Sequence, residues 1–288
     1  MKLSRIYHKA VQFGREYDPR RKARINSYAD TAILHGSPDT DVKKILVGID
    51  IEVAELLLAD KIRREKGLDL VLAHHPEGRA HAAFYEVMQL QVDMLARVGI
   101  PKKVAQELVD ERKREVERRV LSANHMRAVD AARLLGMPFM CVHTPADNHV
   151  SHFLEALFKK EKPARVEYIL DILNGIPEYK EAGKNLCGPR IILGSPKRHA
   201  GEIFMEMTGG TEGPKDAFEK MRKLGVRTLV SMHLSEEHFK KVKDANLNVV
   251  IAGHISSDTL GLNLLLDRVE KEERLEITGC SGFRRIRR

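Results

Sequence analysis

The fold class that the sequence predicts is α/β, with helices layered on parallel or mixed sheets. Short apolar runs of the length of buried strands alternate with segments whose apolar residues recur at helical spacing. After the second apolar run, a glycine-poor stretch rich in Glu, Arg, Ala and Leu predicts a long helical segment over about residues 80–135. Hydrophobic residues make up 43% of the 288-residue chain, which is enough to bury a core without disulfide bonds.

The predicted elements follow in chain order. Six apolar runs predict strands: Ile45–Ile49, Leu68–Ala73, Phe139–Val142, Ile191–Leu193, Thr228–Met232 and Asn248–Ala252. Helical spacing predicts five helices: Ile51–Arg64, Ala146–Lys160, Ala217–Leu224, Glu236–Ala245 and Thr259–Val269. Inside the long helical segment, Gly99-Ile100-Pro101 predicts a turn between two helices. Tyr179–Pro189 is predicted to be a loop, and no internal repeat is visible.

The charge balance favours anionic partners. Lysine and arginine number 49 against 41 aspartate and glutamate residues, so the formal net charge is +8, and phosphates, nucleic acid or acidic membrane surfaces are attracted. The basic residues cluster near both ends of the sequence: Arg15, Arg20, Arg21, Lys22 and Arg24, then Arg284, Arg285, Arg287 and Arg288. Solvated ends without a specific partner are the simpler interpretation. With 5% aromatic residues and no Trp, a protein that stacks nucleic-acid bases is disfavoured.

Cysteine usage and hydropathy bear on the compartment. Cys141, Cys187 and Cys280 show no CxxC spacing, so neither a disulfide framework nor a thiolate zinc site is expected. This usage fits a reducing, cytoplasmic compartment. No apolar run reaches the length of a transmembrane helix, and the N-terminus lacks a signal-peptide core, so no membrane association is expected.

Histidines follow four of the predicted strands, and carboxylates accompany three of these strand ends. The histidines are His74, His75, His143, His233 and His254, and the carboxylates are Asp147, Glu236, Glu237 and Asp258. Sites in open α/β sheets gather at the carboxyl ends of strands. Imidazole and carboxylate ligands together suit zinc, manganese, iron and related divalent ions. The pattern therefore predicts a metal site at one edge of a sheet.

Each motif also has a simpler interpretation. On a regular strand the histidines of His74-His75-Pro76 would point to opposite faces, but the proline ends the strand, so both rings can turn into one crevice. Gly253 permits a sharp turn before His254, and a serine cap would place Asp258 in the first helical turn. Asp258 and Asp147 can equally be favourable charges at helix N-termini. The metal hypothesis rests on three such pairings in one chain.

Other nucleophile and phosphate motifs are weak or absent. Thr208–Gly213 can cradle a phosphate through its backbone N–H groups, but it lacks the P-loop ending and the GxGxxG pattern, so a flexible loop is the preferred interpretation. Gly-x-Ser-x-Gly does not occur, which excludes a serine nucleophile elbow. The apolar neighbours of Cys141 favour a buried thiol over a nucleophile.

Taken together, these motifs resemble the NIF3-like family, some members of which are called GTP cyclohydrolase 1 type 2. The resemblance covers about residues 28–265. The family pattern corresponds here to Asp30 with Gly36, Asp50, His74-His75-Pro76, His143-Thr144-x-x-Asp147 and Gly253-His254-x-x-x-Asp258. Three positions depart from it. Asp258 stands where the family usually has Glu, Glu77 stands where it has an apolar residue, and Ala29 replaces an aromatic residue.

The resemblance implies layered α/β/α sheets around a dinuclear centre of two divalent ions per chain, Zn, Mn, Fe or Co. The metal ligands that it implies are His74, His75, Asp147, His254 and Asp258, with Asp258 bridging the ions. It also implies one NIF3-like unit over residues 1–288, with two α/β lobes of about 1–160 and 161–288 that share the metal site. Residues 80–135 would be a helical insertion, and the assembly a homohexamer.

The leading functional hypothesis is a metal-dependent hydrolase that acts on a nucleotide or another phosphorylated or heterocyclic substrate. Paired ions activate water and stabilise developing charge, and the candidate proton carriers are Glu77, His143 and His238. One alternative is a non-catalytic metal chaperone or insertase, which would use the same ligands. Another is an oligomeric binding scaffold, including a nucleic-acid binder, which ranks last because it leaves the ligand pattern unexplained. Family resemblance alone does not fix the reaction.

Overall fold

Two mixed sheets organise the computed structural model, which describes residues 1–20 and 24–288. The first sheet has five strands, the second has four, and helices pack on them. The predicted α/β fold class is confirmed. Arg21 and Lys22 of the predicted basic cluster lie outside the described residues. No helix in the described ranges is long and apolar enough to cross a membrane.

The strands of the described chain are short. They are β1 (Ala32–His35), β2 (Lys44–Gly48), β3 (Leu70–Ala73), β4 (Phe139–Cys141), β5 (Arg190–Leu193), β6 (Glu202–Glu206), β7 (Val226–Ser231), β8 (Asn248–Ile251) and β9 (Glu276–Cys280). The six predicted apolar runs correspond to β2, β3, β4, β5, β7 and β8. The other three strands have no predicted counterpart. In β6 and β9 the polar residues at the strand ends and interior interrupt the apolar run that marks a buried strand.

The α-helices of the described chain account for most of the remaining residues. They are α1 (Leu3–Glu16), α2 (Val53–Lys66), α3 (Gly78–Ala82), α4 (Leu90–Arg97), α5 (Lys102–Val120), α6 (Arg127–Leu135), α7 (Thr144–Glu161), α8 (Val166–Asn174), α9 (Pro177–Lys184), α10 (Phe218–Lys223), α11 (Glu236–Asp244) and α12 (His254–Glu270). Short 3₁₀ helices cover Phe84–Gln89 and Lys215–Ala217.

Two local predictions have different outcomes. The turn at Gly99-Ile100-Pro101 is confirmed, because α4 ends before it and α5 begins after it. The loop predicted over Tyr179–Pro189 is wrong over its first half, where α9 continues to Lys184. Pro177 occupies the first helical position, where its missing N–H leaves no bond unmade. The glycines Gly183 and Gly188 give this stretch its loop-like composition.

The chain forms two compact units, each built from segments that are distant in sequence. Unit 1 comprises Met1–Val87, Glu115–His149 and Asp258–Arg288, and it holds the first sheet. Unit 2 comprises Met88–Arg114 and Val150–Ser257, and it holds the second sheet. The lobe limits expected near residue 160 stay a prediction.

The first sheet brings three strand ends to one edge. Its order is β1-β4-β3-β2-β9, and only β1 runs antiparallel to its neighbour. Alternate residues face two apolar cores: Leu70 packs with residues of α1 and α12, and Val71 with residues of α2 and α6. Gly48 pairs with Ala73, and Ala73 pairs with Cys141. The segments that follow β2, β3 and β4 therefore start side by side.

The second sheet repeats the topology of the first. Its order β5-β8-β7-β6 matches β1-β4-β3-β2, with the antiparallel strand at the corresponding edge. Both antiparallel strands carry a register shift, and each precedes a tripeptide of the same composition, Gly36-Ser37-Pro38 or Gly194-Ser195-Pro196. Both glycines have a positive φ, of 103° and 98°, which other residues rarely adopt. The repeat is one of topology, and it is not visible in the sequence because the two halves share few residues.

Helices α7 and α12 approach each other closely at one glycine. A Cβ atom on Gly261 of α12 would lie 2.5 Å from the carbonyl oxygen of Ala146 in α7. The absence of a side chain at this position lets the two helix backbones touch. Ala146 lies in the first turn of α7, just beyond the end of β4, so this contact fixes α12 beside the strand-end edge of the first sheet.

We predict that Gly261→Ala lowers the free energy of unfolding by roughly 1–3 kcal/mol, because the added methyl group must push the two helices apart. Gly183→Ala is the matched control, since nothing lies within 4 Å of a Cβ there and alanine favours a helix by about 0.5–1 kcal/mol over glycine. Urea denaturation followed by circular dichroism measures both. Equal stability of the two variants would contradict the proposed close contact.

Candidate metal centre

The chain continues β3 into two adjacent histidines. The backbone N–H groups of His74 and His75 donate to the carbonyl oxygens of Gly48 and Ile49 over 2.9 and 3.0 Å, which extends the strand ladder past β3. Pro76 follows and ends this pairing. The two ring centroids lie 5.3 Å apart, and both rings reach the same carboxylate, described next. The irregular strand end thus brings the side chains into one crevice.

Three imidazoles and two carboxylates converge in unit 1. Nε2 of His74 lies 3.3 Å from Oδ1 of Asp147 and 3.5 Å from Oδ1 of Asp258. Nε2 of His75 lies 3.3 Å from the other oxygen of Asp258. Nε2 of His143 lies 3.7 Å from Oδ2 of Asp147. Each carboxylate therefore faces two imidazoles, and each group of three, His74 with His75 and His143, or His74 with Asp147 and Asp258, could hold a metal ion.

The opposite nitrogen of each ring is fixed by a hydrogen bond. Nδ1–H of His74 donates to the carbonyl oxygen of Val142 over 3.1 Å. Nδ1–H of His75 donates to Asp50 over 2.6 Å, and Nδ1–H of His143 donates to Asp30 over 2.8 Å. A proton on Nδ1 leaves the lone pair on Nε2, the tautomer that binds a metal through Nε2. All three rings thus present the correct atom to the centre of the cluster.

Asp30 is itself held in place. One of its oxygens accepts hydrogen bonds from the backbone N–H and the hydroxyl group of Thr144, at 3.2 and 2.6 Å. Asp30 and Asp50 belong to the family pattern, yet neither is among the predicted ligands. The position of Asp50 directly after a predicted strand could have indicated a residue of the site. Their part in orienting histidines depends on contacts between distant segments, which the sequence does not display.

The cluster contains buried polar atoms that the protein leaves unsatisfied. Nε2 of His74 and Oδ1 of Asp147 are buried and lie 3.3 Å apart, yet neither makes a well-formed hydrogen bond within the described part of the chain. Such atoms cost free energy unless a ligand compensates them. A divalent cation would bind both at once. The donor set, its burial and the oriented tautomers therefore fit a metal ion.

The electrostatics of the cluster also favour a cation. Burial alone lowers the pKa of His74, but the carboxylates of Asp258 and Asp147 outweigh burial and raise it to about 10. The pKa of His75 rises to about 9, against burial, because Asp258 and Asp50 contact its ring. The two buried carboxylates thus hold positive charge in a site from which water is largely excluded.

The predicted catalytic residues lie in different places. His143 joins the cluster as a third imidazole, so its contacts suit a ligand as well as a proton carrier. Glu77 is half-buried just before α3, and burial together with the charges of Glu52 and Asp50 raises its pKa to about 7. Its catalytic role stays a prediction.

His238 and His254 belong to unit 2. His238 is buried, its Nε2–H donates to the carbonyl oxygen of Gly213 over 2.8 Å, and its Nδ1 lies 2.8 Å from the hydroxyl oxygen of Ser235. These contacts are those of a core histidine, and its predicted catalytic role gains no support from them. His254 is the first residue of α12, and its ring centroid lies 4.8 Å from that of His233. Its role as a ligand stays a prediction.

The glycine-rich segment Thr208–Gly213 is a loop, as its composition suggests, and side chains bind its backbone. The side-chain amide of Gln91 donates to the carbonyl oxygens of Gly209 and Thr211 over 2.9 and 2.8 Å. The backbone N–H of Gly213 donates to the carboxylate of Glu206 over 2.9 Å. Because a side-chain carboxylate already takes this backbone donor, the segment offers one N–H fewer to a phosphate.

The chain is similar to several solved structures over nearly its whole length. A NIF3 superfamily protein from Sphaerobacter thermophilus is 30% identical, with a TM-score of 0.80, over 95% of this chain and 97% of that one. Reduced HcgD from Methanocaldococcus jannaschii is 16% identical with a TM-score of 0.58, and a protein from Thermus thermophilus is 14% identical with a TM-score of 0.52, each over 97% of both chains. The latter two show the fold alone. No protein-family model and no curated protein matches the chain.

We predict that His74→Ala abolishes most of the metal binding while the protein stays folded, because the ring contributes a donor atom at the centre of the cluster. His152→Ala, which removes an exposed imidazole, is the control. Plasma mass spectrometry of both purified variants measures the metal content, and circular dichroism confirms folding. Wild-type metal content in a folded His74→Ala variant would exclude the cluster as the metal site.

Metal uptake is also predicted to release protons. With pKa values of about 10 and 9, His74 and His75 are protonated at pH 7 in metal-free protein, and a metal binds only the neutral rings. The apparent affinity should therefore rise from pH 6.5 toward pH 9. For the same reason the raised pKa of His74 stabilises the metal-free fold fully below pH 6.5, and this contribution disappears as the pH rises through about 10.

Calorimetric titration with Zn²⁺ or Mn²⁺ at pH 7, in two buffers of different ionisation enthalpy, counts the protons released per ion bound. A heat that is independent of the buffer would show that the imidazoles were neutral before binding, contrary to this prediction.

Proposed function

Since this chain belongs to the NIF3 superfamily, we propose that it is a metal-dependent hydrolase with a dinuclear centre. The observation that carries the proposal is the convergence of three Nε2 atoms on two buried carboxylates, with each ring oriented from behind. Such second contacts to ligating histidines are typical of metal centres. A structural histidine in a core needs no such convergence of carboxylates.

The proposed ligands divide between two ions. Asp258 faces both His74 and His75 through different oxygens, which supports it as the bridging carboxylate. Asp147 then completes the set around His74, and the family pattern adds His254. Zn, Mn, Fe and Co all accept imidazole and carboxylate ligands, so the supply of each metal in the cell determines which ion is bound.

When bound, a divalent pair supplies activation of water and stabilisation of the negative charge that develops on the attacked group. The chain's own residues have separate tasks. Asp30 and Asp50 fix the ring tautomers, Asp147 and Asp258 balance the positive charge, and Glu77 exchanges a proton at its carboxylate. Aspartate at 258 has a side chain one methylene shorter than the glutamate usual in the family, so its carboxylate would have to hold the ions from closer to the backbone of α12.

For the substrate we propose a nucleotide or another small phosphorylated or heterocyclic compound. The positive net charge of the chain favours an anionic substrate. We further propose a cytoplasmic homo-oligomer, with the hexamer of the family pattern as the expected state. Free thiols at Cys141, Cys187 and Cys280 support a reducing compartment. Light scattering on a gel-filtration column tests the oligomer.

The test of the dinuclear centre is the metal content of protein purified without chelator. We expect about two equivalents of transition metal per chain, reduced in His75→Ala. Absence of bound metal, and no uptake of Mn²⁺, Zn²⁺, Fe²⁺ or Co²⁺, would overturn the proposal.

Catalysis is tested separately from binding with Glu77→Gln. We expect this variant to keep the metal content of the wild type and to hydrolyse nucleoside triphosphates or phosphomonoesters about a hundredfold more slowly, the usual effect of losing a proton carrier. The metal-loaded wild type is assayed beside it. A metal-loaded protein that hydrolyses none of a broad substrate panel, but transfers its ions to an apo-protein acceptor, would be a carrier and not a hydrolase.

A further inference from the structure

The outer edge of β6 is open where the corresponding edge of the first sheet is filled. In unit 1, β9 pairs in parallel with β2 along its whole length. β6 holds the position of β2 in the repeated topology, yet among the described strands it pairs only with β7. An open edge presents N–H and C=O groups that can accept a further strand.

A cavity of about 730 Å³ runs along this edge, within unit 2. Five consecutive residues, Gly201–Met205, line it. Because successive side chains of a strand point to opposite faces, a cavity lined by consecutive residues lies against the edge of β6 and not against one face of the sheet.

Two helices form the walls of this cavity. Met94 and Arg97 of α4, and Val98 directly after the helix, line one wall with the spacing of a single helical face. Phe158 of α7 and Lys162, which follows the helix directly, line another. A slot with a strand edge as its floor and helices as its walls has the form that a missing strand would leave.

We propose that this slot binds an extended peptide segment of a partner protein, which adds to β6 as a further strand. The main-chain groups of β6 supply hydrogen bonds, and the walls select side chains, as in other cases of strand addition. β9 on β2 provides the precedent within the same chain. The described segments of this chain already have their places in the structure, and the charge at the rim, described next, suits an acidic residue of a partner protein.

The lining indicates the chemistry of that segment. Met94, Phe158 and Phe204 offer apolar surface, which suits a peptide whose alternate residues are apolar. At the rim, Lys159 and Lys162 make no ion pair within the described ranges, and they favour an acidic residue beside the apolar ones. Glu155 and Glu202 also line the slot, so their negative charge offsets most of the positive charge of the two lysines and Arg97. The slot therefore favours a peptide with one acidic residue over a strongly acidic peptide.

His199 adds a donor at the end of the slot where β6 begins. Its Nδ1 accepts a hydrogen bond from the backbone N–H of Gly201 over 3.0 Å. The proton of the neutral ring therefore lies on Nε2, which is available to a carbonyl or carboxylate oxygen of the incoming segment.

The experiment uses the full-length protein and a phage library of random dodecapeptides, followed by synthesis of the enriched sequences. Selected peptides should alternate apolar residues and should bind with a Kd that weakens at least about tenfold in Ala164→Trp. Ala164 is exposed and lines the slot, so the indole fills it. Ala156→Trp is the matched control, because Ala156 is equally exposed on α7 and does not line the slot.

Hydrogen exchange locates the bound peptide. We expect slower exchange of the amides of residues 202–206 when the peptide is present. If Ala164→Trp fails to fold, Val98→Trp fills the slot from the opposite wall. Three outcomes would overturn the proposal: no enrichment, equal affinity for Ala164→Trp and Ala156→Trp, or protection confined to other segments. Loss of self-association in Ala164→Trp without peptide binding would also overturn it, since a second copy would then cover the edge.

Discussion

Two buried carboxylates are the constraint on which the candidate centre depends. Asp147 and Asp258 are almost fully removed from solvent, and a buried anion is tolerated only when positive charge or strong hydrogen bonds compensate it. Three imidazoles supply the partners, and Asp30, Asp50 and a backbone carbonyl in turn supply partners for those imidazoles. The negative charge of the two carboxylates therefore accounts for the imidazoles around them and for the groups that bind those imidazoles. With neutral residues of similar size at 147 and 258, the three imidazoles would lose the negative charge that they now face.

The fold meets this constraint through backbone proximity as much as through side chains. The paired ends of β2, β3 and β4 deliver Asp50, His74-His75 and His143 to one edge. Asp258 comes from α12, whose position beside α7 depends on the contact of Gly261 with Ala146. Asp147 follows Ala146 directly, so the same contact sets the distance between the two carboxylates. Gly261, which has no side chain, thus affects the spacing of Asp147 and Asp258 by letting two helices touch.

Much of this could be predicted from sequence, for identifiable reasons. Apolar runs such as Ile45–Ile49 mark central strands because both faces of those strands are buried. Histidines directly after these runs could be placed at one edge of the sheet, because the carboxyl ends of parallel strands lie together whatever the side chains are. Edge strands such as β9 escape prediction because one side meets solvent and their composition is mixed. The roles of Asp30 and Gly261 could not be predicted, because each depends on contacts with segments more than a hundred residues away.

The two sheets share one topology but present different groups at their corresponding edges. In the first sheet the strand ends carry the histidines whose Nε2 atoms form the candidate metal centre. In the second, the corresponding edge carries Glu206 at the end of β6 and His233 after β7, and Glu212 lies with them, its pKa lowered to about 2 against the effect of burial by His233, His238 and the N–H of Ser235. Within the described residues these groups compensate the charge of Glu212, while burial and the neighbouring Glu212 raise the pKa of Glu206. What the second sheet leaves unsatisfied is its backbone, along the edge of β6. Cation binding at the strand ends of the first sheet and strand addition at the edge of β6 are therefore proposed from the groups that each sheet presents there.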